Sequence, residues 1–480
     1  MMQGKVFSHL KSAVIVVLLA LLVAQCLRLR KVPTVVREPA APGESSLSYT
    51  PPPPPKLSFS TVAGLADLIS LVTPKVEKVT DQVYLARGFA LGSSILVITP
   101  AGLVVVDTTE NPEAARKILA EFRKLSDQPI RYLIYTHGHL DHIQGAGVFK
   151  EPGAEVIATR DWVKFVKQDR ELLKDFIRRG RLNQAGRAAP EHDAVKLPLK
   201  SPFGWGGEPP EVVMPTITFD QEYTFELGGV RFEVFHTSGE TPDHLMVWLP
   251  QTRALLCGDL YYHSFPNLST PMLEPNRPVR GWFESLERMI ALQPAYLVPS
   301  HSQAVYGEAE IRERLQNYRR AIRFVHDAAV AGINAGKSED ELVQEVKLPA
   351  ELRELPYLRE AYGRVDWSVR GIYRSYVAWY DGHGSGLDPL PAESWARELV
   401  ALAGGADKVL SRAIEAQKQN EHQLALQLCD LVIQANPRDK VAHLIKAVSL
   451  DHLAVGSTNL NTLGFYRSAA ALERKAAEPK

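Results

Sequence analysis

Apolar positions divide the chain into four stretches of different spacing. Residues 13–24 (AVIVVLLALLVA) are apolar without a break, with Lys5 and Lys11 ahead of them and Gln25-Cys26 behind. About 20 apolar residues are needed to cross a bilayer, so this shorter run reads as the core of a signal peptide. Ala24-Gln25-Cys26 offers a cleavage site, whereas Arg28, Arg30 and Lys31 just beyond it suit an uncleaved anchor. Residues 1–27 are therefore expected to be a signal peptide or a membrane anchor, with the rest of the chain on the periplasmic or extracytoplasmic side. Residues 28–57 contain Pro51 to Pro55 and few large apolar side chains, and read as an extended linker.

From residue 58 to 325 short β-branched runs alternate with helical stretches. Residues 94–98 and 102–107 predict two strands, 112–125 a helix and 130–135 a third strand. Residues 230–236, 245–249, 254–257 and 297–299 predict a second group of strands. That alternation argues for an α/β domain. From about residue 308 strand signals vanish and helical periodicity takes over, broken at Gly404-Gly405 and at Pro437. Residues 326–480 are thus expected to be all-α. Within them, 425–454 has the spacing of one helical hairpin, which is packing rather than a repeat array because several such units must stack to bury a core.

Charge and cysteine usage narrow the chemistry. Across 480 residues, 55 basic side chains balance 55 acidic ones, so no overall field draws in nucleic acid, and none is expected as a partner. Cys26, Cys257 and Cys429 are too few and too scattered for a disulfide framework or a Cys-rich zinc site. Any metal must be held by histidines and carboxylates.

Such a set is present in Thr136-His137-Gly138-His139-Leu140-Asp141-His142, directly after the predicted strand 130–135. His137 and His139 alternate and can point the same way from extended chain, while Asp141 and His142 lie past the turn and can serve a second ion. Zinc takes about four ligands, so others must come from elsewhere in the chain. Glu240, Asp259 and His301 each follow a predicted strand and are the candidates. His244, two residues after Pro242, is left out of the ligand set.

These residues resemble the metallo-β-lactamase superfamily, and within it the alkyl sulfatase (dodecyl-sulfate hydrolase) family. Most superfamily members have a His where this chain has Glu240; the alkyl sulfatases have a Glu in a Glu-x-Pro setting with the next ligand nineteen residues on, as in Glu240-Thr241-Pro242 and Asp259. Arg87-Gly88-Phe89 with residues 104–108 is similar to the family's early strands, and Arg178-Arg179 followed by Gln184-Ala185-Gly186 to its paired-arginine helix. Residues 357–382 and 466–470 resemble the start and end of its helical dimerisation region. The resemblance covers roughly residues 75–475. It implies a metallo-β-lactamase αββα sandwich over 58–325, followed by an all-α, dimerisation-type domain over 326–480, and a homodimer.

The chain departs from the family pattern in three places. Asp259 stands where the family usually has Glu. In the sulfate-contact segment His263, Asn267-Leu268 and Arg280 match in place, but 269–276 is altered around Pro271 and Pro275, and Arg277 is the candidate substitute for a missing arginine. A lipid-carrier-like C-terminal domain found in some relatives is not expected.

The resemblance implies two Zn²⁺ per chain. One is assigned to His137, His139 and Glu240, the other to Asp141, His142 and His301, with Asp259 bridging; Mn²⁺ or Fe would also fit these ligands. A hydroxide shared by the ions, formed from a water whose pKa would fall from about 15.7 toward about 7, would be the nucleophile. Asp141 and His263 are the candidate catalytic residues, His263 as proton donor or as support for the site. Asn267, Arg277 and Arg280 are the candidate substrate-binding residues, holding an anionic ester. Arg178 and Arg179 read as helix surface or as the rim of a substrate channel, and the aromatic residues of 357–380 as core or subunit contact. The expected reaction is release of sulfate from an aliphatic sulfate ester. The alternatives are a lactonase, thioesterase or phosphodiesterase on the same site, or a non-catalytic, membrane-tethered metal-binding protein.

Overall fold

The computed structural model describes residues 35–37, 45–56, 73–186, 212–272, 277–380 and 382–478. The apolar run 13–24, with the signal or anchor expected there, lies outside the described residues. Among those described, no helix is long and apolar enough to cross a membrane.

Strands β1 (Val35–Arg37) and β2 (Leu47–Tyr49) pair antiparallel. A seven-stranded sheet then runs in chain order through β3 (Lys75–Lys78), β4 (Val83–Arg87), β5 (Ser94–Thr99), β6 (Gly102–Val106), β7 (Ile130–Ile134), β8 (Glu155–Thr159) and β9 (Ile217–Phe219). A six-stranded sheet follows, also in chain order: β10 (Glu222–Leu227), β11 (Val230–His236), β12 (Leu245–Leu249), β13 (Ala254–Gly258), β14 (Tyr296–Pro299) and β15 (Val305–Tyr306). Pairing is parallel from β6 to β9 and between β13 and β14, where longer connections return the chain to the same edge, and antiparallel elsewhere.

The period-2 pattern decides which layer each side chain joins. Val104 and Val106 of β6 face Val230, Val234 and Val247 in a core between the two sheets, with Ile134, Leu256 and Val298. Their neighbours Leu103 and Val105 point the other way, onto Ile118 and Phe122 of the helix Pro112–Arg123. That helix starts where Asn111 caps it, its side chain accepting from the Ala114 amide, and Pro112 supplies a pre-set φ. On the outer face of the six-stranded sheet, Met246, Leu255 and Cys257 pack against Trp282, Leu286 and Met289 of Val279–Ala291 and against Leu315, Ile322 and Val325 of Glu308–Asn334. The layers are helix, sheet, sheet, helix: the αββα sandwich, with an all-helical region after it. The border expected at residue 325 falls inside the helix Glu308–Asn334, whose apolar face Val325 and Ala329 continue onto the sheet.

The chain forms two compact units. Of the described residues, those within 57–389 and 454–468 form the larger, and those before residue 57, within 390–453 and from 469 onward form the smaller. In the smaller, helices Ala392–Leu402, Ala406–Lys418, His422–Ala435 and Lys440–Val455 follow one another, with the breaks at Gly404-Gly405 and Pro437 where the sequence predicts them. Part of the stretch that reads as a linker is built into this unit. Leu47 and Tyr49 of β2 pack among Leu410, Ile414, Cys429 and Ile445, while Ser45 Oγ and the Ser46 amide donate to Asp407 at 2.9 and 2.8 Å. A two-residue alternation, Leu47-x-Tyr49, is too short to stand out beside five prolines.

Candidate metal centre

Five strands deliver the site's polar residues at their C-terminal ends: Asp107 after β6, residues 136–142 after β7, Glu240 after β11, Asp259 after β13 and His301 after β14. All seven sequence-predicted metal ligands are buried there. His137, His139 and Asp259 form one group and Asp141, His142 and His301 another, the ligand atoms of each lying within 4.8 Å of one another.

Asp259 Oδ2 touches both groups. It lies 2.9 Å from His301 Nε2, 3.4 Å from His142 Nε2 and 3.9 Å from His137 Nε2. Asp141 Oδ2 is 3.3 Å from His301 Nε2 and 3.4 Å from His142 Nε2, and His137 Nε2 faces His139 Nδ1 at 2.9 Å. Glu240 stands beside the first group, with Oε1 3.7 Å from His139 Nδ1, and is ion-paired to Arg277.

Three imidazoles are fixed from behind so that Nε2 points at the centre. His301 Nδ1 donates to the Leu91 carbonyl at 2.9 Å, and His142 Nδ1 to Asp107 Oδ2 at 2.8 Å. His137 Nδ1 donates to Thr136 Oγ1 at 3.0 Å, and that hydroxyl donates on to Asp107 Oδ2 at 2.8 Å. Asp107 also accepts from the Thr136 amide and from Ser300 Oγ, at 2.8 and 2.7 Å. A carboxylate behind a histidine fixes its tautomer and raises its basicity as a ligand. His244 is a neighbour and not a ligand candidate: its Nε2 accepts from the Asp259 amide at 3.1 Å, and burial, helped by His142 and His139, outweighs Asp259 and lowers its pKa to about 3. This contact needs the φ of +54° at Gly258, where a Cβ would sit 2.6 Å from His244 Nε2.

The electrostatics match a centre built for cations. Burial opposes charge on His142 and His301, yet the facing carboxylates win, raising His142 well above its ordinary value and His301 to about 10. The same imidazoles outweigh the burial penalty on Asp141 and Asp259 and hold both well below the usual carboxylate range. Glu240 is pushed up to about 7 by burial and by Asp259, against the pull of Arg277. Asp259 Oδ1 and Glu240 Oε2 are buried without a hydrogen-bond partner, a costly arrangement in the absence of a cation. Nitrogen and carboxylate donors at this density fit two metal ions.

Against these groups opens a pocket of about 470 Å³, counting the space at its mouth, whose walls include Leu91, Arg181, Gln184, Tyr262, Asn267, Arg277 and Tyr362. Of the predicted substrate-binding residues, Asn267 and Arg277 are in the wall. Arg280 is not: its side chain is 69% exposed on the helix Val279–Ala291, 3.8 Å from Glu284 one turn on, because Arg277 three residues earlier takes the inward direction. His263 is also off the pocket. It packs edge-on against Tyr261, 3.3 Å from Arg314, and burial with Arg314 and Arg87 lowers its pKa to about 4. Arg178 is exposed and pairs with Asp175 at 3.5 Å, as helix surface should. Several residues of the site, among them Asp107, Arg181 and Tyr362, carry no sequence-based functional role. Asp107 ends a run of five buried residues, the one signal that could have found it. Tyr362 lies in the aromatic stretch that reads as core or subunit contact, and one of its neighbours in the fold is instead the pocket.

Comparison with known proteins gives a consistent picture. The model of the metallo-beta-lactamase superfamily matches residues 87–301, and that of alkyl sulfatase dimerisation matches residues 338–476. A linear primary-alkylsulfatase of Pseudomonas sp. is 35% identical over 390 residues, covering 79% of this chain and 74% of that protein. An (R)-specific secondary-alkylsulfatase of Pseudomonas sp. is 26% identical over 82% of this chain and 61% of its own length. The solved structure of a stereoselective inverting sec-alkylsulfatase from Pseudomonas sp. is similar in fold, with a TM-score of 0.80 at 24% identity over 88% of this chain and 71% of that one.

Proposed function

The chain belongs to the alkyl sulfatase family of the metallo-β-lactamase superfamily, and from that premise we propose that it is a zinc-dependent hydrolase releasing sulfate from aliphatic sulfate esters. The observation that carries the reading is the position of Arg277. Its guanidinium is buried in the pocket wall beside the two ligand groups, where an anionic ester head must come to react.

Zinc bound by the two groups would supply a nucleophile at neutral pH by lowering the pKa of a water molecule. The chain's own residues do the rest. Asp107 and Leu91 hold His142 and His301 in the ligating tautomer. Arg277 engages sulfate oxygens through its forked donors, and its ion pair with Glu240 keeps it in place before substrate arrives. Asn267 is set by the Tyr262 hydroxyl, which accepts from its amide at 2.6 Å, so its side chain faces the same space. His263, neutral at pH 7 and away from the pocket, supports Tyr261 and Arg314 in this reading and donates no proton to substrate.

The dimerisation-type region supports a homodimer. The apolar run 13–24 supports export or membrane anchoring.

The test is to incubate purified protein with decyl sulfate, follow free sulfate, and measure metal content in parallel. About two zinc per chain with chelator-sensitive sulfate release is the expected result. Two zinc without sulfate release would overturn the sulfate reading and turn the search to lactones, thioesters and phosphodiesters. Bound metal without turnover on any ester would favour a tethered metal-binding protein.

A further inference from the structure

The pocket has a second guanidinium that neither the family resemblance nor the ligand pattern points to. Arg181 lies in the last turn of the helix Lys174–Gln184 and lines the pocket together with His139, Asp141, Asp259 and His301. Its Nη2 stands 4.0 Å from Asp141 Oδ1, at the outer limit of an ion pair. Asp141 has nearer partners in His142 and His301, so the arginine is not needed to satisfy it. Arg181 Nε is buried with no hydrogen-bond partner, and a buried donor of this kind calls for an acceptor.

The helix that presents Arg181 is held firmly at this end. Gln184 Nε2 donates to Asn461 Oδ1 at 2.7 Å and to the Tyr362 hydroxyl at 3.2 Å. Ser468 Oγ donates to the carbonyls of Leu182 and Asn183, at 3.2 and 3.0 Å, occupying orphan acceptors of the last turn. Gly464 lies so close that a Cβ there would come 1.7 Å from the Gln184 carbonyl oxygen. A long, charged side chain on so well-anchored a turn has little freedom to swing away, and what it presents to the pocket is preorganised.

We infer that Arg181 is a second anion-holding, specificity-determining residue, gripping the sulfate group from the Asp141 side while Arg277 grips it from the Glu240 side. The inference rests on the proposed sulfatase reading. A sulfate ester carries three terminal oxygens, and one guanidinium fork engages two of them. The second guanidinium takes the third, and so favours a tetrahedral oxyanion over a neutral lactone or thioester.

The test uses the zinc-loaded full chain with Arg181→Gln and Arg181→Lys. Four quantities are measured: KM and kcat for decyl sulfate, binding of inorganic sulfate by calorimetry, and zinc content. Arg181→Gln is expected to raise KM about tenfold to a hundredfold, with sulfate binding weakened by a similar factor. kcat stays within a few-fold, zinc content is unchanged, and Arg181→Lys recovers part of the affinity. Unchanged sulfate binding and KM in Arg181→Gln would overturn the inference. So would a loss of zinc with falling kcat and unaltered sulfate affinity, which is the behaviour of a prop for Asp141. If the wild type releases no sulfate from decyl sulfate, the sulfatase reading fails by itself. The calorimetric comparison of wild type and variants then still decides whether Arg181 holds the oxyanion.

Discussion

Replacing Asp107 by Asn exchanges one carboxylate oxygen for an NH2 group and should cost most of one metal's affinity. The carboxylate is fully buried and accepts four hydrogen bonds: from the Thr136 amide, Thr136 Oγ1, Ser300 Oγ and His142 Nδ1. An amide of the same shape keeps one oxygen and turns the other acceptor into a donor. The two hydroxyls can rotate, but an imidazole N–H cannot. With its NH2 on the Oδ2 side, the amide faces His142 Nδ1–H with an N–H or drives that proton to Nε2, the atom that points at Asp141 and Asp259. With its NH2 on the Oδ1 side, it opposes the Thr136 amide N–H and leaves His142 a neutral oxygen in place of a carboxylate. Either way His142 becomes a poorer ligand. Losses at such supporting groups run to about 10–100-fold in metal affinity, or about 1.4–2.7 kcal/mol. The assay is competition for zinc against a chromophoric chelator, with the two binding steps fitted separately. One step should weaken by that factor, the other should change little, and sulfate release at limiting zinc should fall in proportion. Two unaltered steps in a folded Asp107→Asn protein would refute the idea that this carboxylate sets the tautomer of His142.

Other perturbations probe neighbouring links. At Gly92 an added Cβ would meet the Asp141 carbonyl oxygen at 1.9 Å, so Gly92→Ala should displace Asp141 and drop zinc content from about two toward about one per chain, read by elemental analysis. Trp282 is fully buried between helix and sheet and donates to the Leu260 carbonyl at 2.9 Å; Trp282→Ala should cost about 3–5 kcal/mol in denaturant unfolding, and a loss under about 1 kcal/mol would contradict its placement. His263 has a folded pKa near 4, below the ordinary value of about 6.5, so the unfolded chain takes up this proton first. Its contribution to stability is therefore lost as pH falls from about 6.5 to about 4, and His263→Gln should flatten that decline by about 2–3 kcal/mol in unfolding measured across the window.

Much of this architecture is legible in sequence because the physics is local. Strand β6 and the helix Pro112–Arg123 announce themselves by β-branched runs, a capping Asn and a proline at the first turn. The six residues from His137 to His142 carry four metal-capable groups within one loop, and a resemblance to a known family places Glu240, Asp259 and His301 beside them. What sequence spacing misses is direction. Arg277 and Arg280 are three apart at the start of one helix, and only packing decides that the first turns into the pocket and the second into solvent. Arg181 is likewise invisible beside Arg178 and Arg179, since its distinction is the set of groups at 461–468 that hold its helix. Asp107 is a polar residue after a strand, which is common. Its importance comes from four donors contributed by residues 29 to 193 positions away.

The anchoring of the Arg181 helix also orders events in time. Gln184 and its partner Asn461 are separated by 277 residues, and the segment 454–468 joins the larger unit only after the chain has passed through 390–453. During synthesis all strands but the last and all seven candidate ligand residues are complete by His301, yet the turn bearing Arg181 lacks its clamp until Ser468 has emerged. Metal loading and assembly of the anion grip are thereby separable stages. A fragment ending at residue 389 should take up zinc while gripping sulfate weakly. The chain cannot be cut at one point into a self-sufficient catalytic half and a helical half. Closing so long a loop adds only a few kcal/mol of entropy, because that cost grows with the logarithm of length. The connection therefore weighs little on stability and much on the sequence in which function appears.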